Sequence, residues 1–438
     1  MLYKTYLAFT HVPETPQMDL NFWWGPNHTR DSHDDSIRPY RILFSEAMQM
    51  DISRRFEYYR LRTIPKSMAD VAFTYGFNSE ALDRVYNYWS FKYNMDERER
   101  YFRKYKHYKT NIQGLDIHYV HVVHLLMLHG WPSSFVEFYE LVPLLNRARS
   151  DYGFTFELII PSLPGFGYSQ GAVRPGLGPA QIAVIMRNLM HRIGIKKFYV
   201  HGGDLGHIVG SHMITLFPKE VAGFHTIFPV NFSKMSLITW LVGALYPKLF
   251  LDQSVIQKMY PIEEKTNFFL EESGYLHIQM TKPDSIGTAL TESPMGLASY
   301  ILEKFSTFSD PSNKFKTDGG LPDNGTLTRL LDNVMVYWIT ESITTSMRVY
   351  KEIVNNNELE KTLNNIPTPV PTWALRPYQE VIYQPDFMLK WKYSSLLGTT
   401  DPKGGGRFIA YEDPKLLADD LFKAVNIFER FHLDNEKK

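Results

Sequence analysis

The segment His201-Gly-Gly-Asp-Leu-Gly-His207 falls directly between an apolar run, Phe198 to Val200, and a stretch of helical spacing, Ile208 to Leu216. Glycine two positions before and two after a central side chain marks a strand-to-helix turn too crowded for a Cβ at the flanking positions. Such a turn presents its central residue at the carboxyl end of a strand, and so demands strands that alternate with helices. Asp204 is that central residue, and it reads either as a nucleophile or as a helix N-cap. No Gly-x-Ser-x-Gly occurs, which disfavours a serine hydrolase. The chain has 438 residues and no Cys, so disulfides, thiolate metal sites and a Cys nucleophile are excluded.

The neighbouring segments repeat the strand–turn–helix pattern. Ile117 to Leu128 is apolar and β-branched and ends at His129-Gly-Trp-Pro-Ser-Ser, before helical spacing over Phe135 to Leu145. Phe154 to Pro161 reads as a strand stopped by the turn-rich run Ser162 to Ser169, and a helix is expected over Gln181 to Ile193. This alternation predicts an α/β protein with a mostly parallel sheet covered by helices on both faces, the α/β-hydrolase arrangement. In that arrangement the backbone N–H groups of Trp131 and Leu205 are the candidate oxyanion donors, although an ordinary Gly-Pro turn would give the same residues at 130–132. From Ser233 to Leu363 the spacing is helical with no convincing strand; strand character resumes at Pro369 to Leu375, and Leu416 to Phe431 reads as a closing helix. The expected organisation is an N-terminal segment over 1–110 wrapping the core, a core over 111–232 and 366–438, and an inserted helical cap over 233–365. Helical spacing within the first segment covers Phe44 to Tyr59 and Leu82 to Tyr93.

Lys+Arg and Asp+Glu balance at 47 each, so no electrostatic footprint for nucleic acid is present. Aromatic residues make up 15% of the chain, which suits a core or ligand site built of large flat side chains. The N-terminal run Met1 to Thr10 is too short and interrupted for a signal peptide. The longest apolar stretch, Leu237 to Tyr246, is about ten residues against the roughly 20 a bilayer requires. It reads as a helix packed in the core, with Trp240 and Tyr246 the residues that would meet lipid if it lay at an interface.

Several ordered motifs together resemble the microsomal epoxide hydrolases, and within them the insect juvenile hormone branch: Trp23-Trp-Gly-Pro, Asp35-Ser-Ile-Arg-Pro, His129-Gly-Trp-Pro, Pro161-Ser-Leu-Pro-Gly-Phe-Gly-Tyr-Ser, His201-Gly-Gly-Asp, Glu272-Ser-Gly-Tyr-Leu-His and Tyr383-Gln-Pro-Asp-Phe. The resemblance implies an α/β-hydrolase core with a helical cap that adds water to lipophilic epoxides, with no metal or organic cofactor. It makes Asp204 the nucleophile, Tyr275 and Tyr350 the proton donors to the epoxide oxygen, and Glu380 the acid that orients a histidine base. It also implies residence at the endoplasmic reticulum membrane, although no anchor is read in this sequence and a cytoplasmic or peripheral protein is the alternative.

The position of the expected base, within Gly404-Gly-Gly-Arg407-Phe-Ile, holds arginine. A guanidinium has no lone pair with which to take a proton from water, and beside Glu380 it is expected to form an ion pair. His207 and His432 are not placed to substitute for it, the latter lying past the final helix. The expectation is therefore an epoxide hydrolase that forms an alkyl-enzyme ester and turns it over poorly; the alternative is an impaired homologue that binds or sequesters a lipophilic epoxide. A haloalkane dehalogenase shares the Asp turn but would want halide-binding Trp or Asn. Two further departures stand out: Leu205 follows the nucleophile where Trp is common in the family, and Asp116 to Leu128 joins two strands with no turn signal.

Overall fold

The computed structural model describes residues 11–62, 64–121, 125–245, 247–321 and 325–436. Met1 to Thr10 and Tyr246 lie outside the described residues.

Nine strands form one sheet: β1 (Arg38–Tyr40), β2 (His107–Ile112), β3 (Leu115–His121), β4 (Leu125–Leu128), β5 (Leu158–Pro161), β6 (Phe198–Gly202), β7 (Val221–Thr226), β8 (Thr372–Leu375) and β9 (Leu396–Thr400), in the order β1-β2-β3-β5-β4-β6-β7-β8-β9. From β5 to β9 every pair is parallel; β1, β2 and β3 are antiparallel to their neighbours. β4, β5 and β8 are buried throughout, as expected of strands covered on both faces. Helices Pro179–Arg192, Asp204–Leu216 and Pro414–Glu436 cover the sheet, and helices run between Lys234 and Asn364 with no strand among the described residues.

The segment Asp116 to Leu128 contains two strands that are not neighbours. β3 and β4 lie on opposite sides of β5, with His121 opposite Ile159 and Leu125 opposite Leu158. β3 runs antiparallel to β5 and β4 parallel to it, so the two strands run in opposite directions on its two flanks. The β2–β3 hairpin turns instead through Gln113 and Gly114, both at positive φ (52° and 86°) as a two-residue hairpin requires. The first 110 residues thus supply β1 and most of β2 to the same sheet.

Other elements differ from expectation. The strand expected from Phe154 is only Leu158–Pro161, because Phe154 and Phe156 turn their rings onto Phe422 of the closing helix. Phe135 to Leu145 splits into a 3-10 turn (Phe135–Phe138) and a short helix (Val142–Leu145). The closing helix runs to Glu436, so His432 lies inside it, Nε2 2.6 Å from the Ala222 carbonyl. Helix Lys234–Leu245 is not a core helix: Ser236 and Gly243 face inward, whereas Leu237, Leu241, Val242 and Leu245 are exposed. Tyr260 explains the inversion, since a Cβ on Gly243 would come within 2.6 Å of its hydroxyl.

The N-terminal segment is bolted to the helical run. Arg98 Nε donates to Asp332 Oδ1 at 2.9 Å and Tyr93 Oη to the same oxygen at 2.7 Å, with Asp332 only 1% exposed.

Candidate active site

Four strand ends converge. β4 leads into the His129–Pro132 turn, β6 into Asp204, β8 into the loop carrying Glu380, and β9 into the loop carrying Arg407. Ligand sites of parallel sheets form at the carboxyl ends of their strands. Because Leu128 pairs with Gly202, the 129–132 turn lies beside the 202–206 turn. The latter is as tight as its glycines implied: a Cβ on Gly202 would come within 2.3 Å of the Gly206 carbonyl oxygen, and one on Gly206 within 2.1 Å of that of Leu128.

Asp204 occupies left-handed backbone space at φ 47° and begins helix Asp204–Leu216, whose N-cap is Gly203. The N-cap alternative for Asp204 is thereby excluded. Its carboxylate is held from two sides. The Trp131 N–H donates to Oδ1 at 3.1 Å, and the Leu205 N–H also donates to the carboxylate. On the other side Arg407 Nη1 lies 3.3 Å from Oδ2. Burial raises the Asp204 pKa, with Arg407 and the two backbone donors opposing it.

Arg407 also grips Glu380 in a two-point pair, Nη2–Oε1 at 2.7 Å and Nε–Oε2 at 3.1 Å. One guanidinium therefore spans two carboxylates that are 203 and 27 residues away in the chain. Burial works against its charge, but Glu380 and Asp204 outweigh it and push the Arg407 pKa further above its ordinary value. Phe228 and Phe308 lie against the guanidinium, their ring centres 4.7 and 4.6 Å away. The Arg407 N–H donates to the Phe308 carbonyl at 3.1 Å, and Glu412 accepts from the N–H groups of Gly406 and Phe408 at 2.6 and 3.2 Å. Phe228, Phe308 and Glu412 were not read from the sequence; Glu412 lies within six residues of the loop it clamps, whereas Phe228 and Phe308 reach Arg407 only after folding.

Helices of the inserted run bring the two tyrosines to the same place. The Tyr275 ring stacks on Trp131 at 5.2 Å and 9°, and Tyr350 meets Trp131 edge-on at 6.1 Å and 86°. Burial raises both phenol pKa values, so both are proton carriers at neutral pH. The helix Gly325–Thr340 secures the 129–132 turn from above: Asn333 Nδ2 donates to the Pro132 carbonyl at 2.7 Å and Tyr337 Oη to that of Ser133 at 2.6 Å. From below, the Leu163 N–H donates to His129 Nε2 at 3.1 Å, leaving Nδ1–H for the Gly130 carbonyl at 3.0 Å. A cavity of about 220 Å³ opens over Asp204, lined by Leu205, Tyr275, Tyr350, Arg407 and apolar side chains including Phe228 and Phe308. His207 is turned away, held between Thr226 Oγ1 and the Val230 carbonyl at 2.8 and 3.0 Å.

Residues 37–138 match the epoxide hydrolase N-terminus family, and residues 123–253 the alpha/beta hydrolase fold family. The juvenile hormone epoxide hydrolase of Bombyx mori is 45% identical over 97% of this chain and 94% of its own length. The chain belongs to the epoxide hydrolase family. The crystal structure of the Bombyx mori protein matches this epoxide hydrolase with a TM-score of 0.92 at 44% identity, covering 95% of this chain and 100% of the other. Epoxide hydrolase 1 of Sus scrofa is 37% identical over 93% of each chain. The Aspergillus niger epoxide hydrolase, with a TM-score of 0.73 and 24% identity over 91% of this chain, shares the fold. Among the described residues no helix is long and apolar enough to cross a membrane.

Proposed function

We propose that this epoxide hydrolase opens juvenile-hormone-type lipophilic epoxides by forming a covalent ester on Asp204, and that it releases the diol slowly because Arg407 stands where a base is needed. In the first step Asp204 Oδ2 attacks a ring carbon, the C–O bond to the epoxide oxygen breaks, and that oxygen takes a proton from Tyr275 or Tyr350. Oδ1, held by the Trp131 N–H, becomes the ester carbonyl oxygen. In the second step water would attack the ester carbon, and the negative charge would build on Oδ1, where the Trp131 N–H already points. What remains is to remove the proton from that water. A permanently protonated guanidinium cannot do this, and general base catalysis typically contributes about 10² to 10⁴ in rate.

The observation that carries this reading is the Asp204–Arg407–Glu380 bridge, in which the orienting acid is committed to a cation instead of an imidazole. The same bridge favours a second reading, stoichiometric capture: a chain that forms the ester and keeps it removes the epoxide from circulation one molecule at a time. Peripheral attachment to a membrane suits a lipophilic substrate and the exposed leucines of helix Lys234–Leu245. Intact-protein mass spectrometry after incubation with a juvenile hormone tests the proposal. The expected result is substrate mass retained on the Asp204 peptide; rapid multiple turnover with no retained mass would sink it.

A further inference from the structure

The helix Pro294–Ser309 supplies no group to the steps above, yet one of its faces is turned to the aromatic rings at the centre of the site. Tyr300 meets Trp131 edge-on at 5.9 Å and 71°. One turn later Lys304 Nζ lies over the ring of Tyr275, 4.8 Å from its centre. Lys304 is only 7% exposed, and a buried ammonium is costly to keep where methionine would fill the same space without a charge. Its carboxylate partner is the preceding residue, Glu303, which also accepts from Thr307 Oγ1 at 3.3 Å. A carboxylate anchored on the same helix fixes where the ammonium stands. Lys304 does not line the cavity over Asp204, so whatever it contributes to the reaction passes through Tyr275.

Tyr275 changes charge during ring opening. Its hydroxyl gives a proton to the epoxide oxygen as Asp204 Oδ2 bonds to the ring carbon and the C–O bond breaks. The electron pair left behind makes a phenolate whose charge spreads into the aromatic ring, and solvent water later restores the proton. Burial raises the Tyr275 phenol; Arg407 opposes that rise, and Asp204 and Glu380 add to it. Lys304 is a second cation beside this ring, and the acids facing it are Glu303 and Glu272, the latter 3.6 Å from Lys314. A cation over a ring that is neutral in the ground state and anionic in the transition state stabilises the second more than the first. Tyr350 meets Trp131 edge-on, and among the described residues no cation lies over its ring. We infer that Lys304 is a positioning residue that makes Tyr275 the stronger acid of the two tyrosines and so sets the rate of ester formation without touching the substrate. This inference rests on the proposed roles of Asp204 and Tyr275.

The test follows single-turnover ester formation on the full chain with two alkylating substrates of equal chain length, a terminal epoxide and an allylic bromide. Bromide departs without a proton, so its reaction at Asp204 does not call on Tyr275. Lys304→Met is expected to slow the epoxide about tenfold, the size of one nearby charge acting on an ionising group, and to change the bromide rate by less than about twofold. Lys304→Arg, which restores the charge, should bring the epoxide back to within about threefold of wild type. In a Tyr275→Phe background, Lys304→Met should cost less than about twofold more. An epoxide rate untouched by Lys304→Met, an equal loss with the bromide, or a full loss that persists without the Tyr275 hydroxyl would each overturn the inference. Lys304→Gln serves wherever Lys304→Met does not fold. A readout free of epoxide chemistry comes from 3-nitrotyrosine installed in place of Tyr275, whose phenol titrates where absorbance can follow it. Its midpoint should rise by about one pH unit when Lys304→Met is added, and an unmoved midpoint would overturn the inference. If the midpoint moves but no epoxide ever modifies Asp204, the coupling of Lys304 to Tyr275 stands and the Asp204 role falls.

Discussion

Replacing Arg407 with His puts the proposed defect to its most direct test. The side chain at 407 lies between Glu380, 2.7 Å from Nη2, and Asp204 Oδ2, 3.3 Å from Nη1, so an imidazole there has an orienting carboxylate on one side and the ester on the other. Recovering a general base is worth about 10² to 10⁴ in the hydrolytic step. At 1.36 kcal/mol per decade this corresponds to roughly 3–5 kcal/mol off the barrier. The loop needs no rebuilding, because the Arg407 N–H bond to Phe308 and the Glu412 clamp on Gly406 and Phe408 are backbone contacts. Arg407→Gln serves as the control: it keeps donors for Glu380 but supplies no base. The assay is single turnover under rapid quench, with the ester followed by intact mass and the diol by chromatography. Arg407→His should hydrolyse the ester at least a hundredfold faster than wild type, and Arg407→Gln should accumulate it. A folded Arg407→His protein whose ester decays within threefold of the wild-type rate would refute the reasoning.

Tyr275→Phe and Tyr350→Phe should each slow ester formation by about 10- to 100-fold, and the pair by more, because either phenol can protonate the departing oxygen; unchanged single-turnover rates would remove them from the mechanism. Arg98→Met leaves Asp332, 1% exposed, with Tyr93 as its remaining close partner, and should cost about 3–5 kcal/mol in chemical denaturation, since an uncompensated buried charge remains. Acid should destabilise the fold from about pH 6.5 downward. Burial pushes His107 and His129 to about 4 and His207 to about 3, and holds His118 and His201 well below the ordinary value, so unfolding takes up protons on all five. Burial acts oppositely on Glu137, raised to about 8, and on Asp332 and Glu412, raised to about 6, which release protons on unfolding. Near pH 5.5 the balance is about two protons taken up, or on the order of 3 kcal/mol lost per pH unit, measurable as a falling denaturation midpoint. A midpoint flat between pH 7 and 5 would contradict it.

The elements that sequence patterning could identify are those whose constraint is local. Glycines at 202 and 206 announce the turn because the clash they relieve involves residues a few positions away or on the adjoining strand. The pairing of Glu380 with Arg407 was likewise expected, from their opposite charges and from the two adjoining positions the family resemblance gives them. What escaped was set by distance or by balance. Arg407 reaches Asp204 across 203 residues, and no spacing rule connects them. β9, Leu396–Thr400, is mostly half-exposed and ends in two threonines, so it lacks the apolar run that marks a buried strand. Helix Lys234–Leu245 is apolar on every side; periodicity therefore could not say which face turns inward, and the small residues, not the large ones, proved to be the contact face.

The bonds from Asn333 and Tyr337 to the Pro132 and Ser133 carbonyls tie the roof of the chamber to the turn that carries one oxyanion donor. Swinging the roof aside would dismantle the Trp131 contact to Asp204 at the same time. Any opening of the roof is therefore coupled to the geometry of the nucleophile: a chamber that keeps its roof in place keeps its oxyanion donor in place as well.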